Sequence, residues 1–294
     1  MLPTVFVSHG SPMHAIDAGR AGAVWAELGR TLPRPSAVLI ASAHWETELP
    51  MLSTARQPET IHDFGGFPPE LYKISYPAPG APDVAERAIR LLQSSGLSAT
   101  ANACRGLDHG AWVPLRRMFP DADVPVVQVS IQPSLDAAHH LRLGAALAPL
   151  TREGVLIIGS GHITHNLRDW MATVRQRNSR EVADGAADDY VTEFREWIAD
   201  ALRHHDRARL VRWRELAPHA ARAHPTPEHF MPLFVAFGAA SDADGQPPRV
   251  ERLDAGVDSG VLAMDAYVFS PQARAIKDSQ RGESPLSDRI ATRT

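Results

Sequence analysis

Five short runs of aliphatic and β-branched residues limit most strongly how this chain can fold: Thr4 to Ser8, Ala37 to Ala43, Val124 to Ile131, Val155 to Gly159 and Leu262 to Phe269. Each is brief and almost uniformly apolar, the pattern of strands buried on both faces rather than of surface helices. Between them, Ala18 to Leu32, Pro82 to Ser94, Leu135 to Pro149 and Arg180 to His205 place apolar residues three and four apart with charges in between. That spacing predicts amphipathic helices. Strand alternating with helix implies an α/β fold whose sheet is covered by helices on both faces.

No internal repeat or composition break divides the 294 residues, so a single domain over residues 1–270 is expected. From Pro271 the chain turns polar and loses periodicity. Residues 271–294 therefore read as a flexible tail, or as an arm packed on another subunit of a homo-oligomer. The stretch from Arg56 to Pro82, with Asp63-Phe64-Gly65-Gly66-Phe67-Pro68-Pro69 inside it, is too rich in glycine and proline for a helix or central strand and reads as an ordered loop.

A net charge of −4 offers no broad basic field, which argues against nucleic acid or an anionic membrane surface as partner. The first residues lack a basic leader followed by a long apolar stretch, and the single cysteine, Cys104, has no internal partner. A cytoplasmic location is the expectation, with Cys104 structural.

The chain has 14 histidines, and several fall where strands end. His9 follows the first strand, His44 the second, and His162 and His165 follow the run ending at Gly159. Carboxyl ends of parallel strands share one edge of a sheet, where ligands bind. His109 follows Asp108, and His229 precedes a proline-fixed helix start. Neutral imidazoles from scattered elements suit a catalytic iron, zinc, copper or nickel with open positions. No His-Glu-x-x-His, no CxxC and no Gly-x-Ser-x-Gly elbow is present, since Ile158 stands where the elbow needs its first glycine. Gly159 to Gly161 could form an anion-binding turn, but without a phosphate-loop lysine. His139-His140 and His204-His205 lie on expected amphipathic helices and read as solvated or capping residues.

Taken together, the segments SHGSPM, SAHW, TIHDFGGFPPELY, YPAPG, LDHGAW, GSGHITHNL and PTPEHFMPL resemble one family over the span from Val5 to Leu233, with the closing strand compatible to Phe269. It is the DOPA-dioxygenase type of extradiol dioxygenase, within the class III, protocatechuate 4,5-dioxygenase-like superfamily. The resemblance implies a mixed central sheet and a mononuclear metal in a cleft at its edge. By position it makes His9, His44 and His229 the metal ligands, His165 the catalytic acid/base, and His109 a second active-site histidine that hydrogen-bonds a substrate or oxygen-derived atom. Glu228, adjacent to His229, competes for the third ligand position, while His162 and His224 become supporting residues.

The implied reaction is cleavage of a catecholic ring with O2 at Fe(II), giving a muconic semialdehyde. Zinc could occupy the same ligands in purified protein, but it cannot supply the redox step. Two other readings use the same histidines: a zinc hydrolase that activates water, and a non-catalytic protein that binds a metal or small molecule.

Overall fold

The computed structural model describes residues 1–177, 187–240 and 246–272. Its strands are β1 (Thr4–Ser8), β2 (Ala37–Glu46), β3 (Met51–Ser53), β4 (Thr100–Asn102), β5 (Val126–Ile131), β6 (Val155–Gly161), β7 (Arg249–Leu253), β8 (Val257–Asp258), β9 (Leu262–Ala263) and β10 (Ala266–Ser270). The helices are α1 (Gly19–Thr31), α2 (Pro82–Ser94), α3 (His109–Met118), α4 (Ala137–Leu147), α5 (Pro149–Arg152), α6 (Leu167–Arg177), α7 (Asp189–Arg203), α8 (Arg207–Val211), α9 (Trp213–Leu216), α10 (Ala220–Ala223) and α11 (Met231–Ala239).

Eight strands form one sheet in the order β4-β3-β5-β2-β6-β1-β10-β7. The inner four, β5-β2-β6-β1, run parallel. Antiparallel pairings of β1 with β10, β10 with β7 and β3 with β5 make the sheet mixed. Along each inner strand alternate residues feed two separate cores, as the two-residue period of a strand requires. Phe6, Leu39, Val127 and Ile157 pack on one face with Leu92, Leu143, Phe194 and Phe234 of the helices α2, α4, α7 and α11. Val5, Val7, Val38, Ile40 and Ile158 pack on the other with Trp25 and Leu28 of α1 and Trp112 and Leu115 of α3.

These are the single α/β domain and the two-sided helical cover that the periodicity implies. The differences are local. The late strand expected over Leu262 to Phe269 is two strands, because Met264 and Asp265 separate β9, which pairs with β8, from β10, which joins the main sheet. Helices α3, α6, α8, α9 and α10 stand where none is expected. The helix expected over Arg180 to His205 is described from Asp189, and its first residues lie outside the described ones, as do residues 273–294 of the tail. Between Arg56 and the start of α2 at Pro82 the segment forms no strand or α-helix, only one 3-10 turn at Leu71–Lys73. Among the described residues no helix is long and apolar enough to cross a membrane.

Candidate active site

The carboxyl end of β1 releases His9 beside the end of β6, where the parallel register aligns Val7 with Ser160 and Ser8 with Gly161. A backbone bond from the His9 N–H to the Gly161 carbonyl, 3.0 Å, continues the ladder one residue past β1. The orientation of the His9 ring begins at Pro114. Proline has no N–H, so inside α3 it leaves the carbonyl four residues earlier, Gly110, without its helical donor. The Ser160 hydroxyl donates to that carbonyl. With its proton committed there, Ser160 Oγ can only accept from His9 Nδ1, 3.0 Å away. The proton of His9 is thereby fixed on Nδ1, leaving Nε2 bare.

His44 lies inside β2 rather than after it, as the sequence reading had it, because the strand continues to Glu46. The pairing of β2 with β5 shifts register between Ala41 and Glu46, and this irregularity carries His44. The buried Asp108 secures the segment. It caps α3 at the Ala111 N–H, accepts from the Ser42 hydroxyl at 2.6 Å, and binds both Gln128 and Arg105. Arg105 in turn donates to the His44 carbonyl at 3.2 Å. The His44 Nδ1 faces Asp63 Oδ2 at 3.5 Å.

His229 reaches the same point from a segment pressed onto β6. A Cβ on Gly161 would stand 2.1 Å from the His229 carbonyl oxygen, and one on Gly159 2.1 Å from that of Pro232. Gly159 and Gly161, read from the sequence as a possible anion-binding turn, instead admit the backbone that starts α11. A bond of 2.7 Å from the His162 N–H to the His229 carbonyl completes the contact. Glu228, the other candidate for this ligand position, is hydrogen-bonded to its chain neighbour His229. Its carboxylate accepts from His229 Nδ1 at 2.9 Å, which leaves His229 Nε2 bare as well.

Three ring nitrogens therefore converge: His44 Nε2 lies 3.1 Å from His9 Nε2 and 3.3 Å from His229 Nε2. In His9 and His229 the Nδ1 proton is held by a hydrogen bond, so their Nε2 atoms present lone pairs towards His44 Nε2, while His44 Nδ1 faces the Asp63 carboxylate at 3.5 Å. Such a cluster is repulsive alone and complementary to a divalent cation. Burial, reinforced by the neighbouring histidines, holds His9 and His229 well below the usual imidazole range. It lowers His44 to about 4, with His109 adding to the effect. All three are neutral near pH 7, the state in which imidazole ligates. Two other groups of potential ligands, His44-Asp63-His109 and His165-Glu228-His229, each share a residue with this one. In both, the carboxylate is already engaged by a histidine N–H.

His165 stacks on His229, with ring centroids 3.4 Å apart and planes 12° from parallel. Burial lowers it to about 3, with His44 and His109 contributing. His165 lines both a cleft of about 340 Å³ and a depression of about 660 Å³ that is also lined by Arg168, Asp169 and Arg222. The cleft holds all five histidines singled out from the sequence, His9, His44, His109, His165 and His229, and its apolar walls include Pro12, Phe64, Phe67, Trp170 and Leu262. Phe64 and Phe67 come from the glycine- and proline-rich loop, and Phe64 meets His109 edge-on at 5.8 Å. The arrangement can hold a metal, seat a planar ring and move protons beside it.

The other histidines divide differently from expectation. His139 and His140 are buried, not solvated: His140 Nε2 accepts from the Gln132 N–H, and His139 Nε2 binds Gln132 Oε1, so the pair fixes the turn after β5. His204 does cap its own helix, through Nδ1 and the Asp200 carbonyl. His224 donates to the Ile163 carbonyl, and His162 Nε2 accepts from the Gly10 N–H. Cys104 is exposed in the turn after β4. Sequence reading had no signal for Ser160 as a partner of His9, since the link runs through Pro114 in a helix that was not expected. Asp63, beside a histidine in a loop of unusual composition, was within reach.

The family model for the catalytic LigB subunit of aromatic ring-opening dioxygenase matches residues 3–258. The chain belongs to this family. A LigB-family relative from Beta vulgaris, 4,5-DOPA dioxygenase extradiol, is 42% identical over 91% of this chain and 96% of its own length. A protein of the same name from Escherichia coli K12 is 38% identical over 90% of this chain and 93% of its own length. The crystal structure of an uncharacterized Escherichia coli K12 protein superposes with a TM-score of 0.70 at 32% identity, covering 92% of this chain and all of that one. The family and these relatives make the chain an extradiol ring-cleaving dioxygenase, and the histidine cluster at the sheet edge could hold a metal ion.

Proposed function

We propose that this protein is a non-haem Fe(II) extradiol dioxygenase that opens the ring of DOPA or a related catechol with O2, giving a muconic semialdehyde. His9, His44 and His229 are its metal ligands, and His165 and His109 its catalytic pair. The observation that carries the proposal is the convergence of three imidazole Nε2 atoms beside an aromatic-walled cleft. The substrate class follows from the names of the Beta vulgaris and Escherichia coli relatives. Catalysis is assigned to residues 1–270, since every ligand and cleft wall named falls between His9 and Leu262.

Bound Fe(II) supplies the redox step that joins O2 to the ring, which zinc in the same ligands cannot. The protein supplies the rest. Phe64, Phe67 and Trp170 enclose the ring and exclude water from it. Burial keeps His165 neutral, the form that accepts a proton from a catechol hydroxyl. A substrate anion beside that ring raises its proton affinity, so His165 can hold the proton and return it when the product forms. His109, hydrogen-bonded through Nδ1 to Asp63, keeps Nε2 for a substrate oxygen.

The test is oxygen consumption across a panel of catechols after anaerobic iron reconstitution, with zinc-loaded protein alongside. Iron-dependent uptake with a yellow ring-opened product is expected, and uptake should be lost with zinc. A hydrolase would retain activity with zinc and without oxygen, and iron-loaded protein inert to every catechol would favour a binding protein.

A further inference from the structure

Asp63 stands at the entrance to the aromatic loop, one residue before Phe64, with its side chain 23% exposed. Its Oδ1 accepts two hydrogen bonds from a single residue: the His109 backbone N–H at 2.9 Å and the His109 ring Nδ1 at 3.0 Å. The first satisfies one of the N–H groups that the start of α3 leaves without a helical acceptor. The second fixes the ring, because a carboxylate can only accept, so the proton must sit on Nδ1. The other nitrogen, Nε2, has no hydrogen-bond partner among the described residues, in a side chain that lines the cleft. The same carboxylate presents Oδ2 to His44 Nδ1 at 3.5 Å. A single loop residue thus touches the second active-site histidine and a metal ligand while its chain neighbour forms the cleft wall.

We propose that Asp63 is a positioning residue that fixes His109 as its Nδ1–H tautomer and so makes Nε2 the hydrogen-bond acceptor for a hydroxyl of the bound catechol. The catechol rests on the function proposed above; the tautomer does not.

The test uses two variants, Asp63→Asn and Asp63→Ala, and two readouts. Long-range 1H–15N correlation of the zinc-loaded, diamagnetic protein reports the His109 tautomer directly. Wild type should show only Nδ1–H; Asp63→Asn, whose amide oxygen still accepts both N–H groups, should keep it, and Asp63→Ala should show a mixture. In iron-loaded protein at equal metal content, kcat should fall ten- to a hundredfold in Asp63→Ala, the usual range for loss of an outer partner. Asp63→Asn should recover most of that loss, and KM should change less than kcat. An unmixed Nδ1–H tautomer in Asp63→Ala, or wild-type kcat in that variant, would overturn the proposal. Should wild type cleave no catechol at all, the dioxygenase reading fails, and the tautomer measurement still decides the role of Asp63.

Discussion

Replacing Gly161 by alanine tests how the third metal ligand is held. The new Cβ would lie 2.1 Å from the His229 carbonyl oxygen, 3.1 Å from its carbon and 3.3 Å from Pro232 Cγ. The nearest atom belongs to backbone at the entry to α11 and cannot rotate away. Reaching even the 3.0 Å below which real Cβ contacts are essentially unknown requires a shift of about 0.9 Å. Overpacking of this kind costs about 1–3 kcal/mol. Stretching the buried His162-to-His229 backbone bond, 2.7 Å long, adds about 1–3 kcal/mol. The sum, about 2–6 kcal/mol, is a large part of the ~5–15 kcal/mol that stabilises a typical domain. The same shift carries His229 Nε2 away from its two partners, and a displacement near 1 Å costs on the order of a hundredfold in turnover. Urea unfolding of the metal-free protein reads the first effect, and competition with a chelator reads the second as weakened metal binding. Gly65→Ala is the control, since nothing lies within 4 Å of its added Cβ, and its stability should stay within about 0.5 kcal/mol of wild type. Wild-type stability and metal affinity in Gly161→Ala would refute the close packing of His229 on β6.

His229→Ala should abolish stoichiometric metal binding, whereas Glu228→Gln, which alters only the partner of His229 Nδ1, should weaken affinity about ten- to a hundredfold; full occupancy in the first with loss in the second would make Glu228 the ligand. His165→Ala should retain iron and bind catechol, yet turn over about a hundredfold more slowly in single-turnover measurements, and loss of iron would instead place His165 among the ligands. Burial lowers His44 and His140 to about 4 and His165 and His224 to about 3, so the unfolded chain takes up their protons first. Metal-free protein should then lose about 1.4 kcal/mol per group per pH unit as pH falls from about 6.5 towards 4. Burial lowers His14 too, but its bond to Asp258 outweighs that and raises it. It therefore stabilises the fold at low pH and loses this as pH rises, one group against several; urea midpoints that stay flat between about pH 7 and pH 5 would contradict the balance. Phe64→Ala and Phe67→Ala should change the relative kcat/KM among catechols while leaving metal content intact, and an unchanged ranking would leave the loop only a structural part.

Strands and helices whose pattern comes from burial were legible in the sequence. β1 and α2 begin and end where expected, because apolar runs between polar segments mark the inner strands and a three-to-four spacing marks the amphipathic helices. Elements stabilised by context were not. α3 starts with His-Gly and contains Pro114, a poor helical sequence sustained by the Asp108 cap and by burial on the sheet. α6 is largely polar, and β3, β4 and β7 are short or polar strands towards the sheet edges, formed by pairing more than by composition. The five site histidines stood out because strand ends and family motifs name them. Their tautomers could not be read, since these depend on which oxygen faces each Nδ1: Ser160 from β6, Asp63 from a loop, Glu228 from its chain neighbour. His139 and His140 looked solvated because a helical pattern gives no hint that the turn after β5 requires them inside.

The most direct measurement is the origin of the oxygen atoms in the product. Iron-loaded enzyme would be turned over on DOPA under 18O2 in ordinary water, the aldehyde trapped at once by reduction, and the mass of the product read. Ring cleavage at this site requires that both new oxygen atoms come from O2, so the trapped product should carry two heavy atoms, and the mirror experiment in labelled water should give none. A product formed without O2, or labelled only from water, would contradict ring-cleaving dioxygenation and leave the three histidines as a water-activating centre.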